Sequence, residues 1–472
     1  MKYVKIIGVL WLCLSIITTT VAQQRRIILS HGFNGNSDTW QAYQPKLGQM
    51  LTTVGQQRVD IVNYNSRRGV EAGKQEVAGQ VANNNQNIAI VHSMGGLVWR
   101  ELDRLNPGQK AGGIITLGTP NRGGAMVNAM RSGFVQAEFQ DGCNKTANAI
   151  SSGLTAISAT GLVGAAVGTV FGNTAGSVAN RLVGQTGSVL DIFGSFLCVG
   201  FISYVNTLLP PETAPRSAID MSVGSTIVNN LNSSNTPTPK IGLFGVEESP
   251  VHIRLMGSYR KTPSLQPLGG DNTDADMVDA FNLMRDVVLV GEITFIVATI
   301  IYSWNAIWNW SALYPAIACA WAAYDWAMLG RWLAQSESKW HALIGAGGSY
   351  TETVNFRLFT CMSTLDDAYD LYDRRRMTAA QLRLIETRLY ADPNCFTMMQ
   401  VPIQFPINYQ SDGLFNAGTA RIPTDPNDER HVINLPVDGA NHQELLNHRN
   451  MTIRFREIFS GQTRANSFFI TQ

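Results

Sequence analysis

Ile88-Ala89-Ile90-Val91-His92-Ser93-Met94-Gly95-Gly96 is the stretch on which the reading of the fold turns. Four consecutive apolar residues suit a strand buried on both faces, as the strands of parallel sheets are. Behind them, Leu97 to Leu105 carries its apolar residues at helical spacing. A strand that turns at a serine straight into a helix holds that serine in a strained backbone conformation, its hydroxyl standing above the sheet edge. Strand and helix then pass close together, so small residues are needed around the serine. Gly95 and Gly96 supply them, but Val91 stands where the G-x-S-x-G pattern has its first glycine. A valine there must crowd the helix or be relieved by a small neighbour.

Working outward, Arg26 to Ser30 is a short β-branched run that ends in the loop His31-Gly32-Phe33-Asn34-Gly35. Asn36 to Leu51 carries Trp40, Tyr43, Leu47 and Leu51 at helical spacing, Val59 to Tyr64 reads as the next strand, and Ala72 to Asn83 as the next helix. Downstream, Ile114-Ile115-Thr116-Leu117-Gly118-Thr119-Pro120 reads as the strand after the serine helix. Strands alternating with helical patterns give an α/β class with a parallel sheet. Near the end, the apolar run Val401 to Ile407 leads to Ser411-Asp412-Gly413-Leu414. Val432 to Pro436 then reads as the last strand, opening into Asp438-Gly439-Ala440-Asn441-His442, and Gln443 to Asn447 starts a closing helix.

These residues resemble the α/β-hydrolase lipases, in particular bacterial triacylglycerol lipases and the inositol-deacylase-like branch. The resemblance rests on His31-Gly32-Phe33, on His92 to Gly96 and on the strand ending in Gly118-Thr119-Pro120. Gly224 to Asn232 is similar to a helix that precedes a core strand of the family, which places that strand at Val251 to Gly257. The likeness covers roughly residues 25–130, 220–260 and 405–450.

It implies an α/β-hydrolase fold, a mainly parallel central sheet with large helical cap or lid insertions. It also implies a serine carboxylic ester hydrolase acting on acyl lipids, needing neither metal nor organic cofactor. Ser93 is then the nucleophile, Asp412 the acid and His442 the base, with the N–H groups of Phe33 and Met94 as the oxyanion hole. His31 receives no chemical role. His431 and His448 stay open as alternatives for the base, and Asp274 and Asp276 for the acid. The same machinery serves a deacylase or a lipid acyltransferase. A lipid-binding protein on a hydrolase core that has lost catalysis is a different class of answer, motivated by Val91 and the apolar inserts.

The order of elements divides the chain into a signal segment (1–22), core (23–124), an apolar glycine-rich insertion (125–220), core again (221–264), a tryptophan-rich helical insertion (265–400) and a C-terminal core part (401–472). Lys2 and Lys5, the apolar run Ile6 to Ile17 and the small residues before Gln23 read as an export signal, giving a secreted or periplasmic protein. Five cysteines then remain; Cys361 with Cys395 and Cys143 with Cys198 are candidate pairs that leave Cys319 free. Neither CxxC nor HExxH occurs, so a metal site has no support in the sequence. A formal net charge of +1 gives no reason to expect nucleic acid as a partner.

Charged residues make up 15% of the chain, against about a quarter in ordinary soluble domains, and the inserts carry the deficit. Thr146 to Asn180 has no charge at all, and Gly161, Gly164, Gly168 and Gly172 share one helical face. Val287 to Leu329 holds only Glu292 and Asp325, with Trp304, Trp308, Trp310, Trp321 and Trp326. Buried cap helices, a lid with an apolar face for lipid, and membrane-embedded hairpins all fit such blocks. Asp366 to Arg388, with Arg374-Arg375-Arg376, reads as a solvated helix, with anionic headgroup binding as its alternative. Asn232 to Pro239 reads as a surface loop.

Overall fold

The computed structural model describes residues 26–41, 59–160, 215–247, 313–345, 349–358, 377–391, 397–406, 410–424, 431–463 and 467–470, with a few shorter pieces such as 252–255. The signal segment, the Gly161–Gly172 face, Trp304 to Trp310, Asp274, Asp276 and Arg374 to Arg376 lie outside the described residues.

Six parallel strands make the core: β1 (Ile27–Ser30), β2 (Val59–Val62), β3 (Ile88–His92), β4 (Gly113–Leu117), β5 (Lys240–Val246) and β8 (Val432–Asp438), side by side in the order β2-β1-β3-β4-β5-β8. The fold is that of an α/β hydrolase. Alternation along the strands sends Ile27, Leu29, Ile88, Ile90, Ile115, Leu117, Ile241 and Leu243 into one core and Ile28, Ala89, Val91 and Ile114 into the other. On the second side lie α1 (Val70–Gln80), α2 (Met94–Leu105) and α6 (Thr226–Asn232), through Val70, Val77, Leu97, Val98, Val228 and Leu231. The first is covered by α10 (Arg449–Phe459), which follows the short α9 (Ala417–Ala420) in the chain, through Met451, Phe455, Ile458 and Phe459. Both faces are therefore dry, and that is why the strands read as unbroken apolar runs.

The chain passes from β1 outward to β2 and then returns to place β3 on the other side of β1, with Ser30 paired to both Val62 and Val91. Such a switch leaves a crevice at the carboxyl ends of the two strands. His31 and Ser93 follow those ends directly.

Between β4 and β5 come α3 (Ala125–Arg131), α4 (Phe134–Thr160) and α5 (Arg216–Met221). Farther on, α7 (Leu313–Leu343) packs along α4. Trp326 donates its indole N–H to the Ala149 carbonyl at 2.7 Å, Lys339 pairs with Glu138, and a β-carbon at Gly142 would stand 2.3 Å from the Trp332 ring. Cys143 of α4 is disulfide-bonded, and Cys319 of α7 is a free, buried thiol whose pKa burial pushes up to about 11. Among the described residues no helix is long and apolar enough to cross a membrane.

A second compact unit spans 348–408 and 424–429. In it β6 (Ser349–Leu358) and β7 (Thr397–Pro406) pair antiparallel in full register, and α8 (Ala379–Ala391) lies between them in sequence. The apolar run before Asp412 is thus part of this small sheet, and the block read as helical contains a strand.

One core strand lies elsewhere than expected. Residues 252–255 are helical, and the strand beside β4 is Lys240–Val246. The family resemblance sets a strand after the helix at 224–232, and the structure puts that strand sooner in the chain than 251–257. The true strand hides behind Gly242 and Gly245, glycines that weaken a strand pattern. Both are required: a β-carbon would come to 2.4 Å from the Asn434 side-chain oxygen at the first and 2.3 Å from the Ala440 carbonyl at the second.

Candidate active site

Ser93 has φ 52° and ψ −129°; Asn34 is the only other described non-glycine residue at positive φ. That conformation costs about 1–3 kcal/mol and persists only where packing imposes it. Here the helix behind it buries Met94, Leu97, Val98, Trp99 and Leu102, each worth roughly 1.5–3 kcal/mol, so the strain is small against what holds it. Val91 is fully buried among Met94, Leu97 and Val98 and does not prevent the turn. The small residues that matter lie on the helix side. A β-carbon at Gly95 would stand 2.5 Å from the His31 carbonyl, and one at Gly96 would stand 2.0 Å from the Thr119 hydroxyl. That hydroxyl donates to the Ser93 carbonyl at 2.8 Å, and the Ser93 N–H donates to the Leu117 carbonyl at 2.8 Å.

The loop after β1 closes over the serine. A β-carbon at Gly32 would stand 2.6 Å from Ser93 Cβ. His31 is buried and stacked on Tyr64 at 4.5 Å between ring centroids. Its Nδ1 donates to the Gly32 carbonyl at 2.9 Å, its Nε2 accepts the Tyr64 N–H at 3.3 Å, and the Tyr64 hydroxyl donates to its carbonyl at 2.8 Å. Burial lowers its pKa, so the ring is a neutral strut of the loop. Among the described residues neither the Phe33 nor the Met94 N–H donates a hydrogen bond; Met94 opens its helix and has no acceptor within it.

Asp412 and His442 meet side chain to side chain, Oδ2 to Nδ1 at 2.7 Å, both almost wholly buried. The other Asp412 oxygen accepts the N–H groups of Leu414 at 3.0 Å and Phe415 at 2.6 Å, which fixes the carboxylate plane. The His442 N–H donates to the Asp412 carbonyl at 2.7 Å. Asp412 reaches the end of β5 through the bond from the Glu247 N–H to the Ser411 carbonyl, 2.9 Å. Gly118, at φ 54°, leaves room for the pair: its β-carbon would stand 2.9 Å from both Asp412 Oδ2 and His442 Nδ1. From α7, the Trp340 indole N–H donates to the Gly413 carbonyl at 2.6 Å.

The competing histidines lie elsewhere. His431 accepts the Lys240 N–H on its carbonyl at the opposite end of β8, and His448 caps α10 by accepting the Asn450 N–H on Nδ1 at 3.2 Å. One contributor was invisible in the sequence. His92 Nε2 donates to the His442 carbonyl at 3.0 Å, tying the residue before the serine to the histidine loop. Burial first, then the neighbouring His442, pushes the His92 pKa down to about 3. Among the described residues, no group of three or more histidine, cysteine or acidic side chains is arranged to hold a metal.

No protein-family model matches the chain, nor does any curated protein. Among solved structures it is similar to an extracellular α/β-hydrolase from a Paenibacillus species, described as sharing structural and functional homology with tobacco salicylic acid binding protein 2. The identity is 10%, over 46% of this chain and 76% of that one, with a TM-score of 0.20.

Proposed function

We propose that the chain is a serine carboxylic ester hydrolase acting on acyl lipids, with Ser93 as nucleophile, His442 as general base and Asp412 as its acid. The observation that carries this reading is the strained Ser93, at φ 52°, whose neighbour His92 bonds the main chain of His442, itself paired with Asp412.

Asp412 accepts the hydrogen bond of the His442 Nδ1–H and holds that tautomer, leaving Nε2 as the basic nitrogen. The Ser93 hydroxyl attacks the acyl carbon and its proton passes to Nε2, while the carbonyl oxygen becomes an oxyanion facing the Phe33 and Met94 N–H groups. Collapse breaks the ester bond, and His442 returns the proton to the departing alcohol. Water, deprotonated by the same nitrogen, then releases the acid and restores Ser93. All groups involved are side chains and backbone amides of this chain.

The preference for acyl lipid rests on the cap. Tyr314, Ile317, Trp321 and Tyr324 line one exposed face of α7, in a stretch without charge between Leu313 and Tyr324. Aromatic side chains of this kind favour a lipid–water boundary. At its other end the same helix bonds the acid loop through Trp340.

The test is hydrolysis of p-nitrophenyl esters from acetate to palmitate by the mature chain and by Ser93→Ala, with an active-serine phosphonate probe alongside. Activity that rises with acyl length and vanishes with Ser93, together with labelling of Ser93, is the expected result. Failure of every ester, with detergent or lipid present, and no labelling would return the chain to the lipid-binding class.

A further inference from the structure

Behind the histidine loop lie two acidic residues whose side chains are wholly buried, Glu247 and Glu444. Glu247 follows β5 directly, and Glu444 is the second residue after His442. Two carboxylates in so dry a place repel each other and are stable only with a cation between them. Arg254 supplies it. Its Nε stands 3.3 Å from Glu247 and its terminal nitrogen 3.7 Å from Glu444, and that nitrogen also donates to the Gly439 carbonyl at 3.3 Å.

Asn441 completes the assembly. Its side-chain amide donates to Glu247 at 3.2 Å and to the Ser258 hydroxyl at 2.7 Å, while its oxygen accepts the N–H groups of Gln443 and Glu444 at 3.1 and 2.9 Å. Its own N–H donates to Glu444 at 3.1 Å. The residues on both sides of His442 are therefore fixed to one buried ionic cluster.

We propose that Arg254 is a positioning residue: its guanidinium clamps Glu247 to Glu444 and so sets the loop that aims His442. This rests on the hydrolase reading above for its effect on rate, but not for its effect on the loop. Without the cation, the two carboxylates push the end of β5 and the histidine loop apart, and the Asp412–His442 geometry goes with them. The planar fork matters as well as the charge, because it meets two carboxylates and a carbonyl at once.

The experiment compares the full mature chain with Arg254→Ala, Arg254→Lys and a charge-free triple variant, Arg254→Met with Glu247→Gln and Glu444→Gln, each checked for folding by circular dichroism. Ester kinetics and amide hydrogen exchange over residues 439–447 are then measured, with and without millimolar guanidinium. The expected result for Arg254→Ala is a kcat lower by about 10²-fold with KM nearly unchanged. Faster exchange at Asn441, His442 and Leu445 should accompany it, and guanidinium should restore both while urea restores neither. Should Arg254→Ala fail to fold, Arg254→Lys carries the test through the same kcat loss, and the triple variant shows whether the ionic cluster is needed for folding at all. Wild-type exchange and kcat in a folded Arg254→Ala or Arg254→Lys would overturn the clamp. A wild-type chain that neither hydrolyses esters nor takes the probe on Ser93 would instead overturn the hydrolase reading, and exchange alone would still decide the clamp.

Discussion

The ring of His92 holds the main chain of His442: its Nε2 lies 3.0 Å from the His442 carbonyl oxygen, and the two imidazoles stand 4.8 Å apart between centroids. The residue next to the serine and the residue next to the acid are thus joined directly, across a sequence separation of 350. His92→Phe keeps the bulk and removes the donor. We expect kcat to fall by about 10- to 100-fold with little change in KM, since the serine and histidine drift relative to each other. Steady-state kinetics on a soluble ester checks this. An unchanged kcat would show that the tether is dispensable.

Asp412→Asn preserves the shape of the acid loop, because an amide oxygen can still accept the Leu414 and Phe415 N–H groups. The amide nitrogen then faces Nδ1 and favours the wrong tautomer of His442. We expect kcat to fall by about 10⁴-fold without loss of thermal stability. Phosphonate labelling of Ser93 should slow in proportion.

Gly118→Ala places a methyl group against Leu445, Asp412 and His442 at 2.8–2.9 Å, at a position with φ 54°. The backbone alone costs about 1–2 kcal/mol. The larger expected consequence is catalytic, a fall of about 10²-fold in kcat as the acid–base pair is displaced. Calorimetry and kinetics on the same variant separate the two effects.

Buried histidines set the acid limit of the fold. Burial holds His92 near pKa 3 and His252 near 4, and both ring nitrogens of His252 lack a hydrogen-bond partner. Each folded pKa is below the unfolded value of 6.5, so the unfolded chain binds more protons between them. Stability is therefore unaffected above about pH 6.5 and falls with acidification, by about 1.4 kcal/mol per pH unit for each histidine, until its folded pKa is reached. His252→Phe should flatten the fall at pH 5 while changing little at pH 8. Urea unfolding at the two pH values measures it.

Much of the sheet was legible because dry parallel strands leave a simple trace, as Ile27 to Leu29, Ile88 to Val91 and Ile114 to Leu117 do. The turn at Ser93 was legible for a local reason, since glycines follow it where the helix must pass close. β5 was not, because its glycines answer to Asn434 and Ala440, residues far away in the chain. The roles of His92, Gly118 and Arg254 escaped for the same reason. Their importance lies entirely in what they touch, and a histidine, a glycine or an arginine carries no mark of its distant partner. The strand expected at 251–257 rested on resemblance alone, and nothing local in Val-His-Ile-Arg-Leu marks Arg254 as buried in an ionic cluster.

The bond between the Glu247 N–H and the Ser411 carbonyl closes a very long excursion of the chain back onto the end of β5. The entropy of such a closure grows only with the logarithm of its length, about 0.6 kcal/mol for each doubling. Once the two ends are stitched together, those parts of the excursion that, unlike Arg254 and Trp340, place no side chain on the site can lengthen or shorten at little cost to the sheet. The chain thereby separates two tasks: a fixed geometry at Ser93, Asp412 and His442, and a long stretch anchored at both ends whose length the sheet scarcely feels.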